Sequence, residues 1–143
     1  MSALTVLRIG LVVWIAWHAI FGLFSTFAPQ TGADIVGWNP AGGWNSELLA
    51  MSKQYGMVML LLAGVFLVML IDPVRYIALI WIAIAEQVLG IAYGTYIFSM
   101  IGQLSVPQLI AQTATNLALI SGMLVLWNRL KPSALAAQRI LNT

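Results

Sequence analysis

One carboxylate and one imidazole lie in otherwise apolar parts of this sequence. Between Tyr76 and Ile101 the only ionisable side chain besides the tyrosines is Glu86, and His18 is the single histidine of the chain. An unpaired carboxylate in the centre of a lipid bilayer costs about 2.5–3.5 kcal/mol, so such a group pairs, is protonated or faces water. A facing imidazole could exchange a proton with it, or the two could simply hold helices together.

The spacing along the chain predicts that these two groups share a depth. A helix rises about 1.5 Å per residue, so His18 lies about 15 Å from Arg8 along its helix. By the same measure Glu86 lies about 16 Å from Arg75. If the two arginines mark the same membrane surface, we expect Glu86 and His18 to meet near the midplane.

Three amides complete the predicted cluster. Asn116 lies about 20 Å from the basic end of its segment, and Gln112 lies one turn farther, about 25 Å from that end, on the same helix face. Gln87 directly follows the acid. Amides at such positions are also common as hydrogen bonds between membrane helices. Lys53 is a candidate for the outer interface, about 28 Å above the far end of its helix.

We therefore predict five residues as ligand-binding or proton-handling candidates and assign none of them a catalytic role: Glu86, His18, Asn116, Gln112 and Gln87. One histidine and one acid supply too few ligands for a metal site. The chain has no cysteine, which excludes disulfides, thiolate metal centres and cysteine nucleophiles.

The composition indicates a membrane protein, which is why the depth of each polar residue in the bilayer matters. The 143 residues are 62% hydrophobic and only 7% charged, and the mean hydropathy is +0.96. Soluble domains carry about 25% charged residues, so lipid must surround most of this chain. Six basic residues spread along the sequence indicate membrane topology rather than binding of nucleic acid.

Four segments reach the length of about 20 apolar residues that a membrane-spanning helix needs. Backbone groups in lipid must be hydrogen-bonded within the segment, which favours helices. We predict an all-α integral membrane protein, with residues 1–143 forming one antiparallel four-helix bundle. The expected helices cover about 4–28, 48–71, 74–101 and 107–127.

The connections set the order of these helices. Asp72 followed by Pro73 is typical of a helix start, which predicts a tight turn and antiparallel neighbours on either side. The longer connection, residues 29–47, contains Trp38 and Trp44, which we expect at the level of the lipid headgroups. Long connections of this kind serve as interfacial caps or as functional lids.

The basic residues predict the orientation. Five of them fall on one side of the predicted bundle, while the loop 29–47 carries Asp34 and Glu47. The positive-inside rule then places both termini in the cytoplasm, and we expect a bacterial cytoplasmic membrane. The five residues are Arg8, Arg75, Arg129, Lys131 and Arg139.

Two outward-running segments resemble each other. Residues 14–22 and 81–90 both begin with Trp-Ile-Ala, continue to the ionisable residue and end in glycine, with one residue inserted in the second. This similarity predicts that two helical hairpins are related by an axis along the membrane normal.

Several short motifs together resemble the small DoxX-like and BphX-like four-helix membrane proteins. They are Arg8-Ile9-Gly10, Phe27-Ala28-Pro29, Glu47-Leu48-Leu49, Tyr55-Gly56 and Asp72-Pro73-Val74-Arg75. The resemblance implies a link to quinone-linked oxidation or to degradation of aromatic compounds. No catalytic residue is carried over, because no motif of these proteins matches Glu86 or His18.

Four functions remain open at this point. The first is an accessory subunit or a protein that binds a lipophilic molecule such as a quinone, pigment or lipid near His18, Glu86 and Asn116. The others are a dimeric proton-coupled transporter, an intramembrane acid–base isomerase or oxidoreductase subunit, and a structural partner of larger membrane subunits. The expected partners are the bilayer and either a second copy or a larger membrane complex, with no nucleic acid. We favour the first function because it needs no nucleophile.

Overall fold

The computed structural model describes residues 1–38, 40, 42–101 and 105–141, of which 101 and 133–141 by their backbone. The described residues form five α-helices, joined by short irregular segments. A 3₁₀ turn at Ile77–Leu79 precedes α4, and a π-helical turn at Ile97–Ile101 follows it. The helices are α1 (Ala3–Phe27), α2 (Pro29–Ile35), α3 (Ser46–Ile71), α4 (Ile80–Tyr96) and α5 (Val106–Leu141).

Among the described residues, four helical stretches are long and apolar enough to cross a membrane, which confirms the predicted all-helical class and four candidate spans. Their outer faces carry large apolar side chains: Leu61 and Leu89 are 69% and 68% exposed. A helix that is apolar on its exposed side as well as its packed side is typical of a membrane span. The stretches are Ala3–Phe27, Ser46–Ile71, Ile77–Met100 and Val106–Pro132.

The third span does not begin where the sequence predicts. Asp72 ends α3 instead of capping the next helix, and residues 73–76 form turns before the 3₁₀ turn at Ile77. Pro73 is fully buried in this connection and Ile77 is nearly so. Burial of these two side chains outweighs the local preference for a helix start at Asp72-Pro73, and that prediction is wrong.

Two other bounds differ from expectation. The predicted loop 29–47 contains α2, because Pro29 suits the first position of a helix. The last helix continues past Trp127 to Leu141 and includes Pro132. Its start agrees with the sequence, since Ser105 and Gln108 cap each other, with 2.9 Å between the Ser105 backbone nitrogen and the Gln108 Oε1 atom. The side chain of Arg139 lies outside the described residues.

The chain divides into two compact units. The N-terminal unit is Thr5–Asp72, and the C-terminal unit combines Met1–Leu4 with the described part of Pro73–Thr143. The single bundle over residues 1–143 stays a prediction.

In the N-terminal unit α1 and α3 run in opposite directions. The ring of Trp14 meets Phe66 edge-on at 6.4 Å, whereas two turns later Gly22 lies against Gly56 and Leu60. Residue numbers therefore rise along α1 while those of the contacting residues fall along α3.

The C-terminal unit repeats this arrangement between α4 and α5. The rings of Trp81 and Trp127 meet at 5.8 Å, and Gly90 lies against Asn116 farther along the pair. In both units the tryptophan of the Trp-Ile-Ala motif contacts an aromatic ring on the returning helix; the hairpin repeat stays a prediction.

Candidate functional site

A pocket of about 190 Å³ lies in the N-terminal unit where α1, α2 and the beginning of α3 meet. An apolar cavity of about 150 Å³ is large enough to hold benzene, so this pocket has the size of a single substituted ring. We call it the aromatic pocket, since four of its ten lining residues carry large aromatic rings. The lining residues are Phe21, Phe24, Ser25, Pro29, Gly32, Ala33, Val36, Trp38, Trp44 and Ser52.

Helix α2 forms one side of the pocket by folding back onto the end of α1. Ala28 leaves the helical conformation between them, with φ −142° and ψ 57°. At Gly32 an added Cβ would come within 2.8 Å of the Cβ atom of Phe24, so only glycine allows this close approach. Ala33, one residue later, is 8% exposed and faces the pocket.

The end of α2 positions the first tryptophan. Gly37 adopts φ +69°, and the backbone N–H groups of Gly37 and Trp38 donate to the carbonyls of Asp34 and Ala33 at 3.1 and 2.9 Å. This is a Schellman motif, in which a glycine in the left-handed conformation ends the helix. It places Trp38 beside Ala33 in the pocket wall.

A second tryptophan completes that wall. Trp44 meets Trp38 edge-on, with 5.6 Å between ring centroids and an angle of 84°. Gly43 precedes it with φ +72°, and its N–H donates to the carbonyl of Pro40 at 2.9 Å. Edge-to-face pairs of this kind add about 0.5–1.5 kcal/mol beyond the burial of area. The pair therefore joins the end of α2 to the segment before α3 in the pocket wall.

Two serines supply the polar groups of the pocket. Ser25 of α1 and Ser52 of α3 both line it, and the Ser52 hydroxyl donates to the Ser25 carbonyl over 3.5 Å. That carbonyl would normally accept from the N–H four residues later, but residue 29 is proline and has none. The pocket thus combines aromatic walls with one hydroxyl donor and one carbonyl acceptor.

Helices α1 and α3 cross closely next to the two serines. An added Cβ at Gly56 would lie 2.6 Å from the Thr26 nitrogen and 2.7 Å from the Gly22 carbonyl oxygen. The Thr26 hydroxyl is buried there without a hydrogen-bond partner among the described residues. Small residues permit such backbone contact between membrane helices.

His18 occupies a packed position in the N-terminal unit. The side chain is fully buried, its Nδ1–H donates to the Trp14 carbonyl at 2.8 Å, and its ring meets Phe66 at 5.4 Å. A carbonyl only accepts, so the proton of this hydrogen bond is on Nδ1.

The two amides of α5 contact α4. Gln112 donates from Nε2 to the Gly90 carbonyl at 3.1 Å and lies against Gly94, while the Asn116 amide covers Gly90. Both contacts are of the kind that joins membrane helices, with average strength of about 0.6 kcal/mol per bond. The structure therefore brings Gln112 and Asn116 together with α4 glycines.

None of the remaining predicted residues is in the described lining of the aromatic pocket. On α4, Glu86 is half-buried and Gln87 is 7% exposed; on α3, Lys53 is exposed. Glu86 and His18 belong to different units, and their meeting stays a prediction.

No family model matches this chain, and neither a curated protein nor a solved structure matches it. The similarity to DoxX-like and BphX-like proteins accordingly stays a prediction. The pocket geometry is therefore the basis for a function, and its lining residues are not among the five site candidates predicted from the sequence.

Proposed function

We propose that this protein is an integral membrane protein that binds a lipophilic molecule with a ring, of the quinone, pigment or lipid class, in the aromatic pocket. The observation that carries the proposal is the pocket itself: about 190 Å³ lined by two phenylalanines, two tryptophans and two serines. Small-molecule sites combine apolar and aromatic walls with a few polar groups in this way. Such a protein would serve as a ligand-binding or accessory subunit.

The proposed membrane arrangement fits this role. We expect the four spans to form one antiparallel bundle with both termini in the cytoplasm of a bacterium. The exposed Arg8, Arg75, Arg129 and Lys131 support this orientation under the positive-inside rule. The aromatic pocket would then lie at the opposite interface, where tryptophan rings are favoured and where a lipophilic ligand can enter from the bilayer. A DoxX-like ancestry, with its link to quinones and aromatic compounds, is consistent with the proposal.

A pair of substitutions in α2 tests the proposal. Ala33→Phe places a ring inside the pocket, whereas Ile35→Phe adds a ring at a position that is 66% exposed on the same helix. Binding of decylbenzoquinone to the purified protein is measured by quenching of tryptophan fluorescence, with saturation distinguishing a site from partition into detergent.

The proposal predicts saturable binding to the wild type and to Ile35→Phe. We expect Ala33→Phe to weaken it at least about tenfold, because the ring displaces the ligand from a cavity of single-ring size. Equal binding by all three proteins, or no saturable binding by the wild type, would contradict the proposal.

A further inference from the structure

We propose that the aromatic pocket selects a neutral ring that bears a hydroxyl group, a phenol or quinol, and that Ser52 and the Ser25 carbonyl bind this hydroxyl. The inference rests on the proposed function and names the ligand class of the same site. Three features carry it: a helix carbonyl without its helical donor, a serine that donates to it over a long distance, and an uncharged aromatic wall.

The carbonyl of Ser25 is available because of the proline that separates α1 from α2. In a continuous helix the N–H of residue 29 would donate to it, but Pro29 has no N–H. The N–H of Ala28 donates instead to the Phe24 carbonyl, at 2.8 Å. The Ser25 carbonyl consequently lacks the donor of a continuous helix, and the side chain that donates to it is Ser52.

The hydroxyl of Ser52 replaces that donor poorly. Its oxygen is 3.5 Å from the Ser25 carbonyl oxygen, whereas hydrogen bonds between oxygens are usually about 2.5–3.0 Å long. A third oxygen can stand about 2.8 Å from both atoms, since a hydroxyl can turn its proton toward a better acceptor. This third oxygen would donate to the Ser25 carbonyl and accept from Ser52.

Among the oxygen groups that an aromatic ring commonly carries, a hydroxyl does both. A quinone carbonyl can accept from Ser52 but cannot donate to the Ser25 carbonyl, and a hydrocarbon ring does neither. An ionised phenolate or a charged lipid headgroup is disfavoured as well, because the described lining of the pocket includes no charged side chain.

The aromatic walls hold the rest of such a ligand. Phe21 and Phe24 come from α1, and Trp38 and Trp44 come from the connection 29–47. A ring between these side chains can take the offset or edge-to-face contacts that aromatic pairs prefer. An alkyl tail on the ring would continue into the surrounding lipid, since the pocket itself has room for one ring.

Two ligands and three variants test the inference. The ligands are an alkylphenol and an alkylbenzene with the same alkyl chain, which differ by one hydroxyl group. The variants are Ser52→Ala, which removes the donor; Ser46→Ala, a matched change at an exposed position of the same helix; and Ala33→Phe, which fills the pocket. Dissociation constants are measured by fluorescence titration in the same detergent.

We expect the wild type and Ser46→Ala to bind the alkylphenol about tenfold more tightly than the alkylbenzene, after correction for partition into detergent. Ser52→Ala should weaken the alkylphenol about fivefold, the factor for one neutral hydrogen bond, and leave the alkylbenzene unchanged. A loss that is equal for both ligands would mean that Ser52 only shapes the pocket, and it would overturn the inference.

The same measurements separate this inference from the proposed function. If Ala33→Phe abolishes binding of both ligands but the wild type does not prefer the alkylphenol, the pocket is a binding site and the hydroxyl selection is wrong. If Ala33→Phe changes neither affinity, the proposed function fails and the inference fails with it.

Discussion

The close crossing of α1 and α3 makes Gly56 the position where a single methyl group should do the most damage. Its added Cβ would lie 2.6 Å from the Thr26 nitrogen. Ordinary contacts begin at 3.4 Å, so α1 would have to retreat by about 0.8 Å. The nearest atoms are the Thr26 hydroxyl oxygen and then the backbone of Thr26 and Gly22, and backbone cannot rotate away as a side chain can. Gly64 lies two turns later in α3, and a Cβ added there would meet no atom within 4 Å, so it is the matched control.

The magnitude follows from two opposing effects. Overpacking of this kind costs about 1–3 kcal/mol, and a gap of 0.5–1 Å elsewhere along the crossing loses a quarter to a half of each contact energy. Alanine in place of glycine recovers about 1 kcal/mol of helix propensity. We therefore expect Gly56→Ala to lower the free energy of unfolding by about 2 kcal/mol, and Gly64→Ala to leave it unchanged or raise it by up to about 1 kcal/mol.

Reversible unfolding in mixed micelles with increasing SDS measures both variants. Tryptophan fluorescence is the suitable signal, because Trp14 packs against Phe66 in the pair, whereas far-UV circular dichroism misses separation of helices that stay helical. If the two alanine variants differ by less than about 0.5 kcal/mol, α1 and α3 do not cross as described.

Three further predictions concern other parts of the molecule. His18→Ala should lower the free energy of unfolding by about 2–4 kcal/mol in the same assay, because it leaves a cavity beside Phe66; an unchanged midpoint would contradict this packing. Gln112→Leu should cost only about 0.6 kcal/mol, since it removes one interhelical bond to the Gly90 carbonyl; a loss several times larger would give that amide a different role. Because the chain has no cysteine, Gly42→Cys should react with a membrane-impermeant maleimide on intact cells and Ser2→Cys only after lysis; the reverse pattern would invert the proposed orientation.

The number of spans could be predicted from the sequence because lipid imposes a strong constraint. A chain with 7% charged residues has few places where water-exposed backbone can occur. The first and last residues of the helices were harder to predict, since they depend on packing. Asp72-Pro73 has the local pattern of a helix start, yet burial of Pro73 and Ile77 draws these residues into a turn.

The candidate site was harder to predict because ionisable residues stand out in an apolar sequence, whereas the aromatic residues and serines of the pocket do not. Gln112 and Asn116 were recognised as polar groups at depth, and their contacts with glycines on α4 match the alternative role that the sequence also offered. Ser25 and Ser52 have no such signal, being common residues far apart in the chain. The available signal was Pro29, placed four residues after Ser25, which leaves a carbonyl without its helical partner.

The aromatic pocket is proposed to hold a lipophilic ring. An experimental structure of the protein in lipid nanodiscs, saturated with an alkylphenol, tests this proposal most directly. We predict density for one ring between Phe24 and the Trp38–Trp44 pair, with its oxygen within about 3 Å of the Ser52 hydroxyl. A ring bound instead beside Glu86, or a closed pocket with no ligand anywhere in the protein, would contradict this prediction.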